Sequence, residues 1–128
     1  MILLDTHALF WARAQPQRLP ARALQTIEGA DALAAISDIT MWELAMLARK
    51  GRIAVAGRLD GYLADVSAGC RVMPITPDIA AKIANLGAEY PTGDPADQII
   101  WATSTVHRLP LVSADSRLRS YDPAVVWD

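Results

Sequence analysis

A chain of 128 residues that is 52% hydrophobic and only 20% charged is too apolar to be disordered and has the usual size of one compact domain. Its net charge of −2 differs from the basic balance of most nucleic-acid-binding proteins, and its single cysteine excludes an internal disulfide or a multi-cysteine zinc site. Neither a run of about 18 apolar residues nor a signal-peptide pattern is present. We therefore expect one domain over residues 1–128, soluble and cytoplasmic, with no membrane contact.

The first half of the chain predicts two buried strands, each followed by a helix. The apolar run at 2–4 predicts a strand that leads directly into a helix near residues 8–12. Helical spacing over 21–28 is followed by Gly29, which is typical of a helix end. Residues 32–36 predict the second strand, and residues 37–50 predict a long helix with basic residues in its last turn.

The second half continues the alternation of strands and helices. Helices are predicted over 59–67, 76–86 and 94–106, the last two opened by a proline, and strands over 71–75, 111–113 and 125–127. Short, nearly continuous apolar strands between helices are typical of a parallel sheet covered on both faces. We therefore predict an α/β fold, a three-layer α/β/α sandwich with a mostly parallel sheet of four to five strands.

Four acidic residues follow the predicted strands. Asp5 ends the first strand, Glu43 lies early in the helix after the second, Asp97 is in the first turn of the helix that starts near 94, and Asp115 follows the strand at 111. Ligands of open parallel sheets bind beyond the carboxyl ends of the strands, so we expect one shared pocket.

Carboxylates gathered in one pocket repel each other unless a cation neutralises them. The donors are oxygens only, which favours Mg²⁺ or Mn²⁺ over zinc. Such an ion assists phosphodiester hydrolysis by activating water and stabilising charge on phosphate.

Helix capping is an alternative explanation for each acid. Asp5 or Thr6 fits the cap of the first helix, and Asp94-Pro95-Ala96-Asp97 fits an ordinary helix start. Thr40-Met41-Trp42-Glu43 fits a capping box, in which Glu43 only accepts from the backbone. Capping accounts for each acid singly, but it does not explain why all four follow strand ends.

The sequence around these acids also carries a family resemblance. The four stretches are LLDTHALFW at 3–11, ISDITMWELA at 36–45, GDPADQIIWAT at 93–103 and LVSAD at 111–115. In this order they resemble the successive motifs of PIN-domain proteins, specifically the VapC-type toxins of toxin–antitoxin (VapBC) systems.

The resemblance implies a PIN-like fold and an RNA endonuclease whose Asp5, Glu43, Asp97 and Asp115 bind the ions directly or through water. It also implies inhibition by a VapB-like antitoxin, a homodimer and an RNA substrate. Asp94 is a candidate for the outer shell of the metal site or for a helix cap.

Three further residues are candidates for substrate contacts. Thr6 and Ser113 adjoin ligand positions and can orient a carboxylate or water, or simply satisfy the local backbone, and Arg117 can face a phosphate. Relatives often carry arginine where this chain has Gln98, so that role could pass to Arg117 or Arg119.

Other basic residues are grouped at Arg49-Lys50-Gly51-Arg52 with Arg58, where they can bind phosphate or complement a helix end. Two other functions are compatible with a small acidic α/β domain. A receiver-like phosphoacceptor domain needs adjacent acids after the first strand and a lysine near the last, but this chain has only Asp5 there and only Lys50 and Lys82 as lysines. A PIN-like binding module without activity is disfavoured by the four acids.

Overall fold

A computed structural model describes residues 1–29 and 34–128. Within those residues the sheet has four strands, which lie in the order β3-β2-β1-β4 and pair in parallel throughout. The strands are β1 (Leu3–Leu4), β2 (Ala35–Ser37), β3 (Arg71–Met73) and β4 (Leu111–Val112). The parallel sheet predicted from the sequence is therefore confirmed.

Helices connect the strands and flank the sheet. They are α1 (Thr6–Ala14), α2 (Ala21–Glu28), α3 (Ile39–Arg49), α4 (Leu59–Gly69), α5 (Pro77–Ala84), α6 (Pro95–His107) and α7 (Ser116–Tyr121), and a 3-10 turn spans Pro16–Arg18. Proline opens α5 and α6, as predicted, since it lacks the N–H that the first helical turn leaves unpaired. Gly51 follows α3 with a φ of 72°, the left-handed conformation that favours glycine at a helix end.

The register of the strands divides the core into two clusters. Leu3 pairs with both Ala35 and Leu111, and these three belong to one cluster, while Leu4 and Val112 belong to the other. Successive side chains of a strand point to opposite faces, so each strand contributes to both clusters. Helices cover both faces, which makes the three-layer sandwich that was predicted.

The C-terminal segment contacts the sheet at one residue rather than along a strand. Val126 forms a parallel bridge with Val112, its N–H donates to Leu111 O at 2.8 Å, and its carbonyl accepts from Ser113 N at 3.1 Å. The next carbonyl, of Trp127, instead accepts from Ala23 N in α2 at 3.0 Å. The strand predicted over 125–127 is therefore wrong in extent, because neighbouring peptide groups bond to different elements.

The second strand and the last helix differ from what the sequence predicted. Residues 32 and 33 of the second predicted strand lie outside the described residues, and β2 begins at Ala35. Helix α7 was not predicted. It has six residues and a single buried side chain, Leu118, so it carries too little periodicity to be recognised in the sequence.

In the part of the chain that the structure describes, no helix is long and apolar enough to cross a membrane.

Candidate active site

Asp5 lies where β1 gives way to α1. Its backbone N–H donates to Val112 O at 3.1 Å, and its side chain caps α1 by accepting from Ala8 N at 2.8 Å. Asp5, not Thr6, is therefore the cap of the first helix. The cap places this carboxylate at the carboxyl edge of the sheet between β1 and β4.

Glu43 is held by a contact between α1 and α3. The Thr6 hydroxyl donates to Glu43 Oε1 and lies 3.3 Å from the hydroxyl of Thr40. The capping-box interpretation of Thr40 and Glu43 is wrong, because Thr40 is the second residue of α3 and is fully buried against α1. Asp38 occupies the cap position of α3 and makes no side-chain capping bond.

Asp94 and Asp97 have different surroundings on the first turn of α6. Asp94 is the helix cap, as its position suggested, and accepts from Ala96 N at 3.0 Å. Among residues 1–29 and 34–128, none donates a hydrogen bond to the Asp97 carboxylate. The amide of Gln98 donates to Thr92 O at 3.2 Å, so this side chain anchors the preceding loop.

Asp115 caps the unpredicted helix α7. One carboxylate oxygen accepts from Arg117 N at 2.9 Å and from Leu118 N at 3.1 Å. The buried Ser113 hydroxyl accepts from Asp115 N at 3.2 Å. The Arg117 guanidinium lies 3.6 Å from the other Asp115 oxygen and is largely exposed.

Arg119, the other arginine considered in place of one at 98, pairs with Asp128 at 2.7 Å and is turned to the chain terminus.

These elements bring the acidic residues into one cavity of about 390 Å³ at the carboxyl edge of the sheet. Its lining includes Asp5, Thr6, Glu43, Asp94, Asp97 and Asp115. Of the predicted site residues, Ser113 and Arg117 are not in the lining. His7 and Trp11 also line the cavity. They lie one helical turn apart on α1, the helix that Asp5 caps, and this spacing is the feature of the sequence that could have predicted their place in the lining.

Burial and mutual repulsion perturb three of these carboxyl groups. Loss of solvation, together with the charges of Asp94, Glu43, Asp115 and Asp5, raises the pKa of Asp97 from 3.8 to about 7. Burial also raises the pKa of Asp5, partly offset by bonds from Ser113 and Ala8 N, and it raises the pKa of Glu43, partly offset by the bond from Thr6. The carboxylates of the cavity therefore disfavour one another's charged forms, and a bound cation would offset this repulsion.

The donor set of the cavity fits a hard divalent ion. Its carboxylates supply hard oxygen ligands, and no cysteine lines it. Over the described ranges, no three acidic, histidine or cysteine side chains are already grouped closely enough to hold a metal ion. Four of the carboxylates are instead engaged by N–H or hydroxyl donors, those of Asp5, Glu43, Asp94 and Asp115.

The chain belongs to the PIN domain family, whose model matches residues 2–123. Within that family it is 43% identical over 129 residues to Ribonuclease VapC22 of Mycobacterium tuberculosis, with 98% of each chain covered. The resemblance of the sequence motifs to PIN-domain proteins is therefore confirmed, and the alternative of a receiver-like phosphoacceptor domain is wrong.

Solved structures share the same architecture. A toxin–antitoxin complex from Klebsiella pneumoniae contains a chain that is 27% identical, with a TM-score of 0.73 and coverage of 98% of this chain and 96% of that one. The crystal structure of VapBC2 from Rickettsia felis bound to a promoter DNA fragment matches with a TM-score of 0.70 at 17% identity, covering 100% of both chains. The second likeness shows the fold alone.

Proposed function

We propose that this chain is a divalent-metal-dependent endoribonuclease toxin of the VapC type. The observation that carries the proposal is the convergence of Asp5, Glu43, Asp97 and Asp115 on one cavity at the carboxyl edge of the sheet. A relative at 43% identity that is named a ribonuclease supports RNA as the substrate.

In this proposal Asp5, Glu43, Asp97 and Asp115 hold Mg²⁺ or Mn²⁺, and Asp94 belongs to the outer shell of the site. The ion, when bound, supplies positive charge for a non-bridging phosphate oxygen and lowers the pKa of water for attack on phosphorus.

The protein's own contribution is to hold carboxylates in place against their repulsion. The Thr6 hydroxyl bonds Glu43 Oε1, and backbone amides at the starts of α1 and α7 bond Asp5 and Asp115. Donors fixed by helix starts do not need to reorganise during the reaction, which is how a preorganised site lowers a barrier.

The hydrogen bonds of the three remaining candidates, Thr6, Ser113 and Arg117, indicate different roles for them. The hydroxyls of Thr6 and Ser113 are engaged with Glu43 and with the Asp115 amide, so we assign both to positioning carboxylates. The guanidinium of Arg117 is largely exposed and pairs with Asp115 at 3.6 Å, beside the cavity, and we assign it to substrate binding.

The proposal includes two protein partners. The toxin–antitoxin complex from Klebsiella pneumoniae, which contains a similar chain, supports a VapB-like antitoxin that inhibits this chain in the cytoplasm. An apolar pocket beside Asp94, lined also by Ile39, Trp42, Pro95 and Ala96, supports a homodimer. Trp42 is 56% exposed there, which is unusual for so large an apolar side chain.

Cleavage of a mixed RNA substrate with Mn²⁺, with and without EDTA, tests the activity. Asp5→Asn keeps a good helix cap but removes ligand charge, so we expect at least about 100-fold slower cleavage with an unchanged far-ultraviolet circular dichroism spectrum. Asp65→Asn makes the same chemical change at an exposed position of α4 outside the cavity and should cleave normally.

Normal cleavage by Asp5→Asn would remove the acidic cavity from the mechanism. Cleavage that survives EDTA would contradict metal dependence, and a well-folded wild-type protein that never cleaves RNA would indicate a binding module.

A further inference from the structure

The acidic cavity continues into two neighbouring cavities and forms a groove. Glu43 lines both the first cavity and a second of about 220 Å³, while His7 and Trp11 line both the first and a third of about 280 Å³. Leu47 and Arg52 line both the second and the third. The groove therefore runs from the carboxylates along α1 and α3 to the segment that follows α3.

The far part of this groove is basic. Arg18 and Arg52 line the third cavity, which no acidic side chain of the described residues lines. Lys50 and Arg52 line the second, together with Glu43 and Asp94. All three side chains are exposed, and within the described part of the chain none of them forms a salt bridge. Three cations without a salt bridge among the described residues thus lie near the acidic cavity in a chain whose net charge is −2.

Arg18 is held in place by an aromatic ring. Its guanidinium carbon lies 4.3 Å from the centre of the Trp11 ring. The centre of the His7 ring, one turn earlier in α1, lies 5.7 Å from the centre of the Trp11 ring. A guanidinium stacked on an indole keeps the N–H groups at its edge available for phosphate oxygens. Because the stacking restricts the side chain beforehand, less conformational entropy is lost when a ligand binds.

We propose that this groove is the path of a single-stranded RNA, with Arg18, Lys50 and Arg52 binding the phosphates on one side of the bond that is cut. The inference rests on the proposed ribonuclease function, because it places the reacting phosphate at the acidic cavity. A groove that combines cations with aromatic rings is typical of single-strand binding, in which the phosphate backbone supplies most of the affinity.

The second and third cavities adjoin the acidic one. If the reacting phosphate lies at the acidic cavity, the next phosphates of the strand therefore lie at the second and third cavities. Cations in these cavities offset the repulsion between the RNA backbone and the carboxylates. An acidic segment of a partner protein is the competing occupant, and the test below distinguishes it.

The test measures binding of a short fluorescent single-stranded RNA in EDTA, where the proposed cleavage is absent, as a function of salt. The double variant Arg18→Gln, Arg52→Gln is compared with Arg71→Gln, Arg108→Gln, which has the same charge change at exposed positions outside the groove. We expect the groove variant to bind at least about 10-fold more weakly. We also expect its negative slope of log K against log salt to become less steep by about 1.4, since each lost single-strand phosphate contact removes about 0.7 from the magnitude of the slope.

Equal affinity and equal slope in the two double variants would overturn the groove as an RNA path. It would also be overturned if the groove variant lost binding of the antitoxin while binding RNA normally, because the groove would then belong to the partner protein. Thermal melting of each variant confirms that the folded protein is compared.

Cleavage by the wild-type protein, measured in the same preparations, separates the two proposals. Metal-dependent cleavage together with equal RNA binding by both double variants rejects the groove and retains the ribonuclease. A reduced salt slope in the groove variant without any cleavage by the wild type supports the groove and rejects the ribonuclease.

Discussion

Asp97 differs from its acidic neighbours in having no hydrogen-bond donor among the described residues, whereas Asp5, Asp94 and Asp115 accept from backbone amides. Burial and four nearby carboxylates raise its pKa to about 7. The native protein therefore retains a proton at Asp97 under conditions in which the unfolded chain has lost it.

The raised pKa of Asp97 predicts the pH dependence of stability in EDTA. Between the ordinary value of 3.8 and about 7 the native state binds more protons than the unfolded state, so the free energy of unfolding falls as pH rises through this window. Because Asp97 is partly exposed, we expect a loss of only about 1–2 kcal/mol between pH 5 and pH 8, measured by urea denaturation.

Asp97→Asn should be more stable than the wild type at pH 8 and should depend less on pH. Asp65→Asn, at an exposed position, should follow the wild type. A wild-type free energy of unfolding that increased with pH across this window would contradict the assigned surroundings of Asp97.

Residue types and spacing were enough to predict that these acids share one cavity, but not which side chains hold them. Glu43 was predicted from its place after a strand, whereas its bond from Thr6 depends on how α1 meets α3. Thr40 was misread as a cap for the same reason. Helical spacing identifies which residues share a face, but not which neighbouring helix that face contacts.

At the scale of elements, the starts of three helices carry acids of the site. Asp5 caps α1, Asp94 caps α6 and Asp115 caps α7, so capping and clustering are properties of the same residues. Helix capping and a shared pocket, the two explanations that the sequence offered for these acids, are therefore both correct for Asp5, Asp94 and Asp115. An N-cap carboxylate is also stabilised in its charged form by the helix dipole, which partly offsets the repulsion in the cavity.

Substitutions of Asp115 separate its capping from its charge. Asp115→Ala removes the bonds from Arg117 N and Leu118 N and should cost about 0.5–2 kcal/mol of stability, whereas Asp115→Asn retains an acceptor and should cost less. Both variants should lose RNA cleavage. Urea denaturation and the cleavage assay give the two results from one preparation.

Equal stability of the Ala and Asn variants would show that the cap contributes little. Retained cleavage in both would remove Asp115 from the proposed ligand set.

Elements were predicted well where many residues repeat a pattern. The boundaries of α2 agree with the prediction, and α3 and α6 begin and end within two residues of theirs. The final strand was overextended, because its apolar residues 125–127 are buried against two different elements rather than along one neighbouring strand. An apolar run indicates burial, while strand length depends on where each peptide group finds its partner.

At the scale of the whole molecule, the alternation of strands and helices was sufficient to predict the layers and the edge where the acids meet. It did not predict the surfaces that remain exposed. Trp42 lies beside Pro95 and Ala96 on the outside of the sandwich, next to Asp94 at the rim of the acidic cavity. A second copy of the chain at this surface would bring two acidic cavities near each other.

Trp42→Asp tests this surface as the interface of the proposed homodimer. We expect the variant to be monomeric by light scattering at concentrations where the wild type is dimeric, because a charge in the centre of an apolar interface is costly to desolvate. Ile75→Asp is the matched control, since Ile75 is 44% exposed and lies outside the pocket of Trp42. A Trp42→Asp variant that remains dimeric would place the interface elsewhere.

The single bridge at Val126 bears on the stability of the sheet edge that leads to the acidic cavity. Strand β4 leads to Ser113 and Asp115, and on its outer edge the described residues that hydrogen-bond to it belong to the segment that ends the sequence. We therefore expect a chain truncated before Val126 to leave the N–H of Ser113 and the carbonyl of Leu111 without these partners, which would loosen the edge of the sheet that positions Asp115.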